Sequence, residues 1–218
     1  MNKQSTKSTE KNLSRHPITT WQRIALGLLV GLIVGVLSFL AQGRLPGDWS
    51  ILGNSGAVWL VFAFLTGAML PGNTWAAVSG VVTLGGALIG YFAAGALMDV
   101  AYAPVMVIYW AIIAVIGGPV FGIAGHQWWS GKRLRNRTIA AALLGAVVIA
   151  EGQYHIRYNP HLSVGWPMVV VGLIMPLLLG RSAKDRLYTY LALIPTSLLG
   201  VAAYEGLTWF DWLRANFF

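Results

Sequence analysis

The chain has 218 residues, 56% of them hydrophobic and only 10% charged, with a formal net charge of +8 and no cysteine. A water-soluble domain is about a quarter charged, so this composition excludes a chain that covers itself with polar groups and makes the bilayer its natural solvent. The missing cysteines exclude disulfides, thiolate metal sites, cysteine nucleophiles and thioether lipid anchors.

Residues 1–20, MNKQSTKSTEKNLSRHPITT, are polar and read as a disordered cytoplasmic tail ahead of one transmembrane helical domain over residues 21–218. A helix needs roughly 20 residues to cross about 30 Å of hydrocarbon, and seven segments approach or exceed that length. The first is Trp21–Gln42. It reads as a retained span rather than a cleaved leader: its apolar run is too long, and Phe39 would stand three residues before a cut after Ala41. Gly27, Gly31 and Gly35 form a strip of small residues along it that permits close helix contact. The strip is expected to pack inside the bundle; dimerisation or docking of a second membrane subunit is the other use of the same face.

The second span, Ile51–Leu70, opens with Asn54 and Ser55 and carries Trp59 a turn deeper. The third, Thr74–Met98, holds Tyr91 late, with Asp99 at its end. The fourth, Tyr102–Gly125, has Tyr109 and Trp110 early and an expected bend at Gly117-Gly118-Pro119. The fifth begins near Thr138 and must reach Arg157 to span. The sixth, Val164–Leu179, is short and holds Pro167 and Pro176. The seventh, Leu187–Trp209, holds Pro195, with Tyr204 and Glu205 late. The turn signals LPGDW, LPGN, YAP and NPHLSVGWP separate the spans, and Pro71, Pro104 and Pro160 stand at their ends.

Alternating loops place twelve of the 15 lysines and arginines on one side: in the tail, at Arg23, and in the segments 126–137 and 180–186. The positive-inside rule then predicts N-terminus in and C-terminus out for an all-α polytopic bundle of about seven helices, and a plasma (inner) membrane is the expected location. The basic excess is therefore a topology signal. The lipid bilayer is the expected partner, and nucleic acid is not. Asp48, Asp99, Glu151, Glu205 and Asp211 fall on the outer side.

The stretch AEGQYHIRYNP, from Ala150, interrupts an otherwise apolar helix. At 1.5 Å per residue Glu151 lies about 20 Å along the fifth span, with about 10 Å of hydrocarbon still to cross. A carboxylate there should face the bundle, be partnered, or be protonated. His155 at i+4 and Tyr158 at i+7 share its face, with Tyr154 on the flank. In the other reading the helix stops near Gly152 and the rest is an outer loop. The buried reading predicts an outward-opening pocket with Glu151, His155 and Glu205 as polar floor and Trp59, Tyr91 and Tyr154 as walls. Asn54 completes the candidate ligand-binding set. Acidic groups favour a cationic ligand, and such pockets suit small molecules. The aromatic residues read equally as an interfacial belt.

No G-x-S-x-G elbow, phosphate loop or H-E-x-x-H helix occurs. No catalytic residue, metal or cofactor is assigned. Binding or transport of a small cationic molecule is the leading expectation. Two alternatives stand beside it: an intramembrane enzyme using Glu151 and His155, and a non-catalytic scaffold or partner subunit that docks or dimerises through the first helix.

The segments Asn54–Leu70, Gly90–Ala94, Gly117–Trp128 and Leu143–Gly152, in this order and spacing over roughly residues 24–182, resemble an uncharacterised family of bacterial multi-pass membrane proteins. The resemblance implies the fold and includes Glu151, but brings no activity or substrate. The chain is more weakly similar to the substrate-binding subunit of energy-coupling-factor vitamin transporters. These are small proteins with an outward-open site and a small-x3-small face on the first helix, usually with six spans and both ends inside.

Overall fold

A computed structural model describes residues 18–158 and 161–217. Most of the N-terminal tail, and Pro160, lie outside the described residues. The chain is helical throughout them: α1 (Thr20–Arg44), a short 3-10 segment (Gly47–Asn54), α2 (Gly56–Ala68), α3 (Asn73–Ala96), α4 (Pro104–Ser130), α5 (Leu134–Arg157), α6 (Leu162–Leu179) and α7 (Ala183–Phe217). Six of these helices are long and apolar enough to cross a membrane. A seventh crossing exists only if the 3-10 segment and α2 are taken together, and these meet at a 45° bend.

That bend corrects the reading of Ile51–Leu70 as one continuous helix. Ser55 is extended, and its side chain accepts from the Val58 N–H, as an N-cap does. The helix therefore restarts at Gly56. The Gly-Gly-Pro stretch lies inside one uninterrupted α4, which contains Pro119.

Glycines set the helix spacing. A Cβ built on Gly31 would lie 2.0 Å from the Thr83 carbonyl oxygen, and one on Gly35 2.0 Å from that of Ala87. The strip foreseen on α1 is thus closed over by α3. A Cβ on Gly80 would lie 1.9 Å from the Gly118 oxygen, joining α3 to α4, and one on Gly125 1.8 Å from that of Phe64, joining α4 to α2. In lipid, where no hydrophobic drive brings helices together, such backbone contact supplies the packing attraction. Inside this group Trp59, Leu60, Phe64, Leu84 and Tyr91 form the main core, which continues through Phe121 of α4 to Ala140 and Leu144 of α5. α5 is the most buried of the spanning helices. It packs on α6 and α7 along one side and on α4 and α2 along the other.

The basic loops share one end. Arg23 donates to the Met69 carbonyl, Gln127 to Asn73, and Arg181 to the carbonyls of Trp128 and Trp129. Arg137 pairs with the buried Asp185 at 3.0 Å. At the opposite end Asp48 of the 3-10 segment accepts from Ser163 and lies 2.7 Å from the His161 ring, tying that segment to α6.

A candidate ligand chamber around Glu151

α5 runs unbroken to Arg157, so the outer-loop reading of QYHIRYNP is replaced by a helical one up to that residue. Glu151 is 3% exposed and His155 5%. Six residues, about 9 Å of rise, separate Glu151 from the end of α5. The sequence places it there because the alanine- and glycine-rich run before it, Ala140 to Gly145, lets α5 sink between its neighbours.

Glu151 is held from two directions. Its Oε2 accepts from the Ala57 N–H at 2.6 Å and from the Tyr204 hydroxyl at 2.7 Å. Ala57 is in the first turn of α2, where the backbone N–H groups have no helical partner. The positive end of the helix dipole points the same way. The break at Ser55 and the buried carboxylate therefore explain each other: the helix end offers donors at membrane depth, and Glu151 is the anion that meets them. Oε1 lies 3.7 Å from His155 Nε2, outside hydrogen-bond range. Neither ring nitrogen of His155 has a hydrogen-bond partner.

Both residues line a cavity of about 620 Å³. Leu143, Ala146, Val147 and Tyr154 of α5 line it with them; α4 contributes Met106, Tyr109, Trp110 and Ile113, and α7 contributes Thr196, Leu199, Ala203 and Tyr204. Asn54 and Gly56 approach from the break before α2. The walls are mainly apolar and aromatic, the usual make-up of small-molecule sites. Among the described residues no three His, Asp or Glu side chains converge as metal ligands would.

The sequence-predicted residues divide. Glu151, His155, Tyr154 and Asn54 line this cavity. Glu205 does not: it pairs with Arg157 at 2.9 Å, and both side chains are well exposed. Tyr158, expected on the buried stripe, is also exposed. Trp59 stands behind the chamber wall, stacked at 5.2 Å on Trp110 and donating its indole N–H to Ser38. Tyr91 hydrogen-bonds Gln42 and lines a second, more open cavity of about 730 Å³ with Phe39, Arg44 and Tyr102. The two cavities share Asn54 and Met106. Gly27, Gly31 and Gly35 are buried helix-packing positions. Tyr204, absent from the sequence-predicted set, is a site residue: one residue turns a helix by about 100°, enough to put Tyr204 on Glu151 and its acidic neighbour Glu205 outside.

The fold and chamber define a polytopic all-helical membrane protein with a buried acidic residue at the bend between the 3-10 segment and α2. The chain belongs to the family of unknown function DUF6518, whose model matches residues 14–209. No curated protein and no solved structure matches it. The likeness to the energy-coupling-factor subunit therefore finds no support, and the α1 face that suggested it is occupied by α3.

Proposed function

We propose that the protein binds, and carries across or out of the membrane, a small organic cation with an apolar body. The observation behind this is the Glu151–His155 pair, buried in the wall of an otherwise apolar chamber of about 620 Å³. A carboxylate in the wall of such a chamber attracts a protonated amine, and Tyr109, Trp110, Tyr154 and Tyr204 line the same chamber. A desolvated cation over an aromatic face gains up to about 2 kcal/mol. By the distribution of basic residues the chamber opens on the outer side.

The test is thermal unfolding of the full chain in nanodiscs with benzylamine and with its neutral counterpart, benzyl alcohol. Benzylamine should raise Tm and benzyl alcohol should not, and Glu151→Gln should abolish the difference. Equal shifts with both compounds would refute a cation site.

A further inference from the structure

α4 and α7 form the two walls of the chamber, yet they scarcely touch each other; each leans on α5. α4 joins α5 around Phe121, Ala140 and Leu144, toward the basic end. Away from that end α4 faces α7 across the chamber, from Met106 and Ile113 to Thr196 and Leu199. The gap between them is a slot in the side of the bundle. Its lip is apolar: Leu199 lines the chamber and is nevertheless 70% exposed. No charged residue or histidine lies between positions 104 and 125 of α4, or between 187 and 204 of α7. A slot at this depth faces acyl chains rather than water.

We propose that the ligand is a resident of the bilayer: a single-chain amphiphile with an ammonium head and a neighbouring hydroxyl, entering sideways between α4 and α7. This rests on the cation-chamber reading above and names its substrate class. An alkyl tail leaving lipid for the slot exchanges one apolar surface for another, so the tail supplies little selectivity. The head supplies it. An ammonium below the headgroups is costly unless a carboxylate receives it, and among the described residues Glu151 is the one acidic side chain lining the chamber. His155 supplies the second criterion. It is buried, it lines the chamber, and both its ring nitrogens lack partners. A buried polar group left so is costly. As the side chain stands both ring nitrogens are closed off from the chamber; a turn of the imidazole brings one of them to a hydroxyl beside the ammonium, which sits at Glu151 Oε1, 3.7 Å from Nε2 in the structure.

The experiment uses the full chain in nanodiscs and compares, at equal mole fraction in the bilayer, a hexadecyl 2-amino alcohol with hexadecylamine and with hexadecanol, alongside aqueous ethanolamine and benzylamine. The amino alcohol should protect against thermal unfolding at about tenfold lower mole fraction than hexadecanol. Glu151→Gln should remove that advantage, and His155→Phe should reduce the amino alcohol to the level of hexadecylamine. In wild-type protein a diazirine in the amino alcohol's chain should give saturable adducts around Ile113, Thr196 and Leu199, competed by the unlabelled compound. Equal protection by hexadecanol overturns head recognition. Protection by benzylamine with no saturable adduct in the slot overturns lateral entry and leaves a chamber for water-borne cations. No protection by any amine overturns both this proposal and the reading beneath it.

Discussion

Replacing Glu151 separates its structural part from its ligand part, because the two substitutions Leu and Gln remove different things. Leucine leaves the Ala57 N–H and the Tyr204 O–H in a buried site without an acceptor. Each costs about 1–3 kcal/mol, so roughly 4 kcal/mol of unfolding free energy should be lost. At about 2–4 °C per kcal/mol for a chain of this size, Tm falls by roughly 10 °C. Glutamine keeps an acceptor oxygen at the same place and loses only the charge. Charge-assisted bonds are about twice as strong as neutral ones, and an anion at a helix N-terminus adds about 0.3–1 kcal/mol. A loss of roughly 1–2 kcal/mol, about a third of the leucine effect, is expected on the same principles. Differential scanning fluorimetry of purified protein measures the shifts, and amide hydrogen exchange at Ala57 and Val58 shows whether the start of α2 opens. If neither substitution moves Tm, or if Gln destabilises as much as Leu, the carboxylate does not hold the broken helix through these bonds.

Gly35→Ala drives a Cβ to 2.0 Å from the Ala87 oxygen, so α1 and α3 must part; overpacking of this kind costs about 1–3 kcal/mol. Gly85→Ala meets nothing within 4 Å and should raise Tm slightly through helix propensity. At the basic end, Asp185→Ala leaves Arg137 without its partner beside a buried position and should destabilise by roughly 2 kcal/mol, reduced from the fully buried value because Arg137 is partly solvated; the double variant with Arg137→Met should recover part of the loss. Because the chain has no cysteine, single thiols report sidedness cleanly. On intact cells an impermeant maleimide should label Gly43→Cys and spare Lys132→Cys, and the reverse pattern would overturn the charge-based orientation.

What was legible in the sequence follows from which physical signal is local. Apolar length marks the spans, and a carboxylate inside such a span marks a residue that must be accommodated, so Glu151 and His155 stood out. The seat for Glu151 was less visible. Asn54-Ser55-Gly56 is an N-cap signature, but it lies in a run greasy enough to read as one helix, and nothing local says that a span restarts there. Glu205 and Tyr204 show the opposite failure. Both sit late in the same helix, and its rotation, not their charge, decides which of them faces inward. α7 is only slightly buried, so its apolar residues surround it and give no stripe to fix that rotation. The cleft between α4 and α7 is invisible in sequence for a related reason: residues that line it and residues that face lipid are the same types.

The seat that Glu151 occupies also fixes the sign of what the chamber can hold. A broken helix with its N-terminus at membrane depth is by itself an invitation to an anion, and in an empty chamber it would select one. Here the chain's own carboxylate takes that place, 2.6 Å from the Ala57 nitrogen. A second anion would meet Glu151 as well as the helix end, and like charges in a low-dielectric site repel strongly. The side of the carboxylate left over, Oε1, is turned to His155 rather than to a backbone donor. A neutral imidazole there leaves negative charge unbalanced toward the cavity. A protonated imidazole balances it and removes the attraction for a cation. His155→Arg, which places a permanent cation at this position, should therefore weaken benzylamine binding where His155→Phe does not, and isothermal titration calorimetry is the measurement. Tighter binding of benzoate than of benzylamine by the wild-type chain would mean that the chamber is built for an anion after all, with His155 as its counter-charge.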